Sequence, residues 1–183
     1  MKKRTSFSAL KFVIVLAALA MGSAAMGQST RKEKKLVRDC REAQSGFVAS
    51  DGLMKTLFTN SYGYVIFPNV GKGGIGVGGA AGNGILYERG SIIGKAKLSQ
   101  LSIGFQFGGQ VYREVIFFES KADLDRFKEN RFEFSAQASA VAVTKGVSAN
   151  VKYKEGVMIF TQQKGGLMYE ASIGGQKFSY TGF

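Results

Sequence analysis

The spacing of apolar residues predicts two helices at the start of the folded part of the chain. From Arg31 onward apolar residues recur at intervals of three or four, with basic residues between them, which is the pattern of an amphipathic helix. Its apolar stripe consists of Leu36, Val37, Cys40, Ala43 and Phe47. A second, short helix is predicted from about Asp51 to Phe58, and its buried residues are expected to be Leu53, Met54, Leu57 and Phe58.

From Tyr64 onward apolar and polar residues alternate, which predicts half-buried β-strands. One internal helix interrupts them, from Lys121 to Asn130, with Ser120 as its N-cap. Later strands are predicted at Phe132 to Val143, Val147 to Tyr153, Val157 to Gln163 and Leu167 to Ile173, with glycine turns at 145–146, 164–166 and 174–175. We therefore predict an α+β, β-rich fold: an antiparallel sandwich or partly closed barrel with an N-terminal helix and one short internal helix.

Residues 71–84 form the most unusual stretch of the chain and read GKGGIGVGGAAGNG. The run contains the Gly-x-Gly-x-x-Gly pattern of a dinucleotide loop, but such a loop leads into a helix, whereas this run leads into the strand-like ILYER. Asn83-Gly84 instead predicts a two-residue type I′ hairpin. One face of the strand is bare backbone that another element or a ligand can approach closely. The glycines to which we assign this structural role are Gly74, Gly76, Gly78 and Gly79.

The first residues have the composition of a signal peptide. A basic start is followed by an apolar stretch from Phe12 to Met21, too short to span a bilayer well, and by small residues before Gln28. We predict a signal peptide at 1–27, a single domain at 28–183 and export to the periplasm or the extracellular space; an uncleaved anchor is the alternative. Loss of this segment lowers the net charge from +12 to +8, which favours anionic partners.

The side-chain inventory excludes the common catalytic and metal centres. The chain has no histidine and one cysteine, so it forms no Ser-His-Asp triad, no Cys-His pair and no thiolate zinc site. We interpret Cys40 as a buried small hydrophobe, with an intermolecular disulfide as the alternative. The acidic residues are interpreted as helix-start or solvated surface positions: Asp123, Asp125, Glu114, Glu119, Glu129 and Glu133. We predict no enzyme activity, no cofactor, no metal, no nucleotide and no nucleic acid partner.

Two groups of basic residues are candidate binding sites. The first lies on the N-terminal helix and comprises Lys34, Lys35 and Arg38. It is either a solvated helix face or a membrane-surface contact, where each Lys or Arg adds about 1 kcal/mol near anionic lipid. The second is Lys72, between two glycines, which is either a ligand for a lipid phosphate, with Lys95 and Lys97 extending the patch, or a solvated turn lysine.

Four segments, in order, resemble the SYLF (Ysc84-type) lipid-binding domain family. They are residues 64–86 around the glycine run, then IGFQFGG at 103–109, FSAQAS at 134–139, and KGGL through IGG at 164–175. The resemblance covers roughly 40–183 and suggests a bacterial exported member. It implies non-enzymatic binding of anionic phospholipid headgroups, with phosphoinositides preferred among eukaryotic relatives. It also matches Lys72 to the lysine that these domains usually carry after their Phe-Pro motif.

Two other functions fit part of the sequence. One is an envelope structural or interaction protein that binds no lipid specifically, and the sequence names no protein partner for it. The other is a small outer-membrane β-barrel, which the signal peptide, the alternating strands and the terminal Phe183 favour. The predicted helices, and strands shorter than the 9–11 residues that a crossing needs, count against the barrel.

Overall fold

The computed structural model describes residues 30–75, 77–103, 109–130, 132–134, 139–165 and 171–183. The chain divides into two compact units, Met1–Val37 and Arg38–Phe183. The predicted signal peptide, 1–27, lies outside the described residues. Residues 30–50 form helix α1, which starts in the first unit and confirms the predicted N-terminal helix. Within the described ranges, no helix is long and apolar enough to cross a membrane.

The second unit is built on one mixed sheet. Its strands follow the order β7-β5-β6-β4-β1-β2-β3-β8, and every pair is antiparallel except β5 with β6. The α+β, β-rich prediction is confirmed, and the described strands do not close into a barrel. The elements are α2 Met54–Asn60, β1 Gly63–Ile75, β2 Val77–Glu88, β3 Ser91–Ile103, β4 Gln110–Phe118, α3 Lys121–Lys128, β5 Ser139–Ala142, the 3-10 helix Val147–Asn150, β6 Val157–Gly165, β7 Ala171–Ser172 and β8 Gln176–Gly182.

A short extended segment, residues 132–134, lies alongside β8. The Phe134 N–H donates to the carbonyl of Gln176 over 3.1 Å, and the Gly175 N–H donates to the carbonyl of Phe134 over 3.1 Å. Only residues 135–138 separate this segment from β5, which lies near the other end of the strand order. One stretch of chain therefore connects the two ends of the sheet.

Helices α1 and α2 cover part of one face of the sheet, which we call the outer face. Cys40 is fully buried in α1, and its thiol donates to the carbonyl of Ile66 over 3.4 Å. The ring of Phe58 in α2 packs edge-on against Tyr64 at 5.1 Å and against Phe117 at 4.9 Å. The interpretation of Cys40 as a buried hydrophobe is therefore confirmed, and burial raises the pKa of its thiol to about 12.

Helix α3 and a cluster of aromatic rings cover the opposite, inner face. Ser120 caps α3 as predicted, in a capping box with Asp123, and Leu124 and Phe127 are fully buried. The ring of Phe178 lies 5.3 Å from both Phe127 and Phe134. The main hydrophobic core of the unit is this inner layer.

The predicted hairpin at Asn83-Gly84 is wrong. Both residues lie inside β2, where Asn83 pairs with Asn69 and Gly84 pairs with Ala96. The turn is at Arg89-Gly90, whose φ angles of 48° and 80° are the positive values that a type I′ turn requires. Asn83-Gly84 does not form the turn that this pair usually indicates, because β1 bulges opposite Gly84.

Several other predictions differ from the structure in detail. Residues 147–153 are not a strand: Val147–Asn150 is a 3-10 helix that follows the predicted turn at Gly146, where φ is 79°. Leu53, predicted to be buried, is 47% exposed because it precedes α2 as its N-cap residue. The predicted turns at 145–146 and 174–175 are confirmed, residues 164–165 belong to β6, and 166–170 lie outside the described residues.

Candidate functional site

The glycine run forms the end of β1 and the start of β2, so it connects two strands and not a strand and a helix. Gly74 pairs with Gly78, and a Cβ on Gly79 would come within 2.9 Å of the carbonyl oxygen of Gln100. This backbone is paired in a sheet, so its amides do not converge on a phosphate as the amides of a helix-start loop do. Gly76 lies outside the described residues.

Lys72 lies within β1, near its C-terminal end, and not in a turn. Its backbone is paired with Ala80 on one side and Gln110 on the other. The side chain is only 9% exposed, so the interpretation of Lys72 as a solvated turn lysine is wrong. Burial lowers the pKa of the Lys72 ammonium, and the negative charge of Glu114 partly offsets that shift.

Glu114, which we interpreted as solvated surface, is completely buried. Its Oε2 accepts a hydrogen bond of 3.1 Å from the side-chain amide of Gln176. Burial raises the pKa of the Glu114 carboxyl to about 8, although this hydrogen bond and the charge of Lys72 both act in the opposite direction. The strand periodicity contained the signal, because Glu114 has the same parity as Tyr112, Ile116 and Phe118, all buried in the inner core.

Lys72 and Glu114 belong to a group of buried polar residues that we call the inner polar cluster. The Gln176 amide also donates to the Tyr112 hydroxyl over 3.3 Å, and the Gln100 amide donates to the carbonyl of Gly174 over 2.8 Å. Within the described ranges, Glu114 Oε1, Gln176 Oε1 and Thr161 Oγ1 have no hydrogen-bond partner. The members of the cluster are Lys72, Gln100, Tyr112, Glu114, Thr161 and Gln176.

The inner polar cluster is able to hold a proton inside the protein, but its residues are too buried to meet a substrate. Each member is at most 9% exposed. A perturbed carboxyl often marks a functional site, yet a catalytic acid must also reach the reacting atom. We therefore assign the inner polar cluster a structural role in the domain and not a catalytic one.

Lys95 and Lys97 lie on the outer face of β3. Ala80 pairs with both Lys72 and Gln100, so Lys72 and Gln100 project to the same side as Ala80. Lys97 is an odd number of residues from Gln100 and projects to the opposite side. The structure therefore does not bring Lys95 and Lys97 to Lys72. Lys97 is exposed, and the Lys95 ammonium lies 5.5 Å from the centre of the Phe183 ring.

Beyond the C-terminal end of α1 the outer face is exposed and rich in glycine and lysine. The contact with α1 ends near Gln162, whose amide donates to the carbonyl of Gly46 over 3.1 Å and to Ser50 Oγ over 2.6 Å. We call the exposed remainder the glycine–lysine face. Its residues are Asn69, Gly71, Gly73, Ala81, Asn83, Lys97, Ser99, Leu101, Val111, Lys164, Lys177 and Ser179.

Our sequence reasoning missed three parts of this face: Lys164, Lys177 and Leu101. Leu101 alternates with polar residues in the sequence, a pattern that predicts a buried strand face, whereas the structure leaves it 85% exposed. Lys164 and Lys177 are far from Lys97 in sequence, and only the pairing of the strands brings the three residues to one face.

The basic residues of α1 are exposed. Lys34 and Lys35 lie in the first unit, where both side chains are open to solvent. In the second unit, Arg38 contacts Asp39 at 3.3 Å and Glu42 at 3.6 Å, and 65% of its side chain is exposed. Acidic neighbours therefore reduce the positive potential around Arg38.

Asp123 and Asp125, the acidic residues closest to each other in the sequence, both have structural partners. Asp123 belongs to the capping box of α3, and Asp125 forms ion pairs with Lys121 and Lys128, the second at 2.8 Å. No group of three or more His, Cys, Asp or Glu side chains within the described ranges is placed to hold a metal ion.

A comparison with protein families matches residues 99–181, which cover much of the sheet and all of α3, to the Ysc84 family, described as "Las17-binding protein actin regulator". Residues 99–181 therefore match the Ysc84 (SYLF) family. The SYLF family is a family of binding domains that is linked to lipid binding. The resemblance found in the sequence is therefore confirmed.

The chain is also similar to "Beta cell expansion factor A" of Aeromonas veronii. The two are 30% identical over 127 residues, which is 68% of this chain. The matched part is 48% of the relative, so this chain spans about half the length of that relative.

Proposed function

We propose that this SYLF protein is exported and binds anionic phospholipid headgroups at a membrane surface, without enzymatic activity. The family link to lipid binding supports the lipid, and the basic charge supports the anionic headgroup. The observation that carries the proposal is the 25-residue stretch from Arg89 to Arg113, which contains no acidic residue and forms β3 and the start of β4. A protein surface with an excess of basic residues attracts anionic lipids.

The test is co-sedimentation with vesicles, using the protein recovered after export. Three vesicle types are compared: phosphatidylcholine alone, phosphatidylcholine with phosphatidylglycerol, and phosphatidylcholine with a phosphoinositide at equal surface charge. We expect binding to both anionic types and little to the neutral one. A preference for phosphoinositide at equal charge indicates recognition of the headgroup itself. Equal binding to all three types, or none, contradicts the proposal and favours an envelope interaction protein.

Export is tested on the same material. The N-terminus of the protein from its native host is sequenced before the vesicle experiment, and we expect it near Gln28, after the small residues that follow the apolar stretch. A native chain that begins at Met1 and stays in the cytosol contradicts the proposed export. It leaves the lipid proposal open to the vesicle experiment.

A further inference from the structure

We propose that the glycine–lysine face is the surface that docks on an anionic lipid bilayer, with Leu101 and Val111 entering the membrane interface and Lys97 and Lys164 at the level of the phosphates. This inference rests on the proposed function and names the surface that performs it. The occupant is a bilayer and not a soluble polyanion, because the face combines cations with exposed apolar side chains.

The basic end of the face is a cross-strand row on the outer side of the sheet. Asn69 pairs with Asn83, and Asn83 pairs with Lys97 on the next strand. The ammonium of Lys164 reaches the same row from β6 and donates to Asn69 Oδ1 over 2.5 Å. Lys97 and Asn69 are two strand spacings apart, about 10 Å. Two cations and two amides are therefore close enough to contact neighbouring lipid headgroups together.

The apolar end of the face lies further along the same strands. Leu101 follows Lys97 by four residues, about 13 Å along β3, and is 85% exposed. On the other side of the glycine strands, Val111 pairs with Gly71 and is 41% exposed. A Cβ built on Gly71 meets no atom within 4 Å, so the surface beside Val111 is open.

With β3 inclined to the membrane plane, the separation of Lys97 and Leu101 along the strand becomes a difference in depth that matches a bilayer. Amphipathic surfaces bury their apolar side chains about 5–10 Å into the boundary between headgroups and acyl chains, while lysines stay at the phosphates. The charge pattern agrees, because β3 and β8 contain no acidic residue. Among the described residues, Lys177 at the edge of the face has an acidic contact, Glu133 at 3.5 Å.

The experiment compares charge and apolar variants with matched controls. The variant Lys97→Gln/Lys164→Gln is paired with Lys145→Gln/Lys152→Gln, which removes the same charge from exposed positions elsewhere. Leu101→Ser is paired with Leu53→Ser, another exposed leucine. Thermal melts establish that each variant is folded, and binding is measured on phosphatidylcholine vesicles with 30% phosphatidylglycerol. We expect about 30-fold weaker binding for the double lysine variant, about 5-fold per lysine, and unchanged binding for both controls.

A second measurement reports insertion directly. Leu101→Cys is labelled with an environment-sensitive fluorophore, and Cys40 stays unlabelled because it is buried and its thiol pKa is about 12. We expect a blue shift of the label at 101 on adding anionic vesicles, and no shift for a label at Leu53→Cys.

The possible outcomes distinguish an error in the proposed surface from an error in the proposed function. If wild-type protein binds anionic vesicles while Lys97→Gln/Lys164→Gln and Leu101→Ser bind equally well, the surface is wrong and the function stands. Loss of binding only in Lys34→Gln/Lys35→Gln/Arg38→Gln likewise overturns the surface in favour of α1. If wild-type protein binds no anionic vesicle, the proposed function fails and this inference fails with it.

Discussion

The side-chain amide of Gln176 donates a 3.1 Å hydrogen bond to the carboxylate of Glu114, although three strands lie between theirs in the sheet. In a flat sheet, β8 and β4 would be about 19 Å apart, four spacings of about 4.8 Å. The sheet must therefore curl around its inner face until these two strands meet across the core. A buried polar contact joins these two strands.

Glu114→Gln should make the protein more stable at neutral and alkaline pH. The folded-state pKa of Glu114, about 8, lies above its ordinary value of 4.5, so the folded protein holds a proton that the unfolded chain releases. The contribution of Glu114 to stability is complete below pH 4.5 and is lost as pH rises toward 8. Melting temperatures of the variant and the wild type should be close at pH 4 and diverge in favour of the variant by pH 8.

The control for this prediction is Glu119→Gln, which removes the same charge from an exposed position next to β4. Its melting temperature should follow the wild type at every pH. The titratable groups that face Glu114 are the Lys72 ammonium on β1 and the Tyr112 hydroxyl on its own strand. Burial raises the pKa of Tyr112 above the pH range used, so that hydroxyl stays neutral. A constant difference between Glu114→Gln and wild type from pH 4 to 8 contradicts a proton on Glu114.

Gly84→Ala should destabilise the domain, whereas Gly71→Ala should not. A Cβ on Gly84 would lie 2.5 Å from the carbonyl oxygen of Ile66 and 2.7 Å from the ring of Phe67, while the same atom on Gly71 meets nothing within 4 Å. Overpacking of this kind costs about 1–3 kcal/mol. Urea unfolding measures both variants, and equal midpoints would show that β1 does not bulge toward Gly84.

The same bulge explains why the predicted turn at Asn83-Gly84 is wrong. Pro68 has no N–H to give to a neighbouring strand, and the pairing of β1 with both of its neighbours shifts register there. The extra backbone pushes toward β2, and only glycine fits opposite. Gly84 is therefore required for close packing and not for a turn. Local turn signals in the sequence do not distinguish these two roles of a glycine.

Local patterns predicted the elements well, while contacts distant in sequence decided the site. Helix α3 and its cap at Ser120 followed from side chains within one turn, as did the burial of Cys40 in α1. The burial of Lys72 depends on strands that pair only after folding. Its position on the face opposite Lys97 depends on the shared partner Ala80, because each strand alone has two equivalent faces.

Asp51→Asn should destabilise the domain at neutral pH by about 1–3 kcal/mol, because an amide cannot accept all of the hydrogen bonds that the carboxylate receives. Asp51 Oδ2 accepts from the backbone N–H and the hydroxyl of Ser148, at 2.9 and 2.7 Å, and Oδ1 accepts from the Leu53 N–H at 3.1 Å. This carboxylate connects the start of α2 to the 3-10 helix.

The pH dependence of this effect has the opposite sign to that of Glu114. The hydrogen bonds from Ser148 lower the pKa of Asp51 below its ordinary 3.8, so its stabilising effect is present above pH 3.8 and is lost as pH falls through the lower, folded-state pKa. Urea unfolding at pH 7 and pH 2.5 should show a large and then a reduced difference between variant and wild type. Ser148→Ala in a double-mutant cycle should show coupling with Asp51, and strict additivity would refute the contact.

Binding to anionic vesicles should weaken as salt rises, and the variants of the glycine–lysine face should change that dependence in different ways. The Debye length falls from about 10 Å at 0.1 M to about 3 Å at 1 M, so salt screens the lysines but not the leucine. Lys97→Gln/Lys164→Gln should therefore bind more weakly at low salt and show a shallower salt dependence than wild type. Leu101→Ser should bind more weakly at every salt concentration with the wild-type slope. If both variants show the same slope as wild type, the lysines do not act through charge, and an electrostatic contact at this face is ruled out.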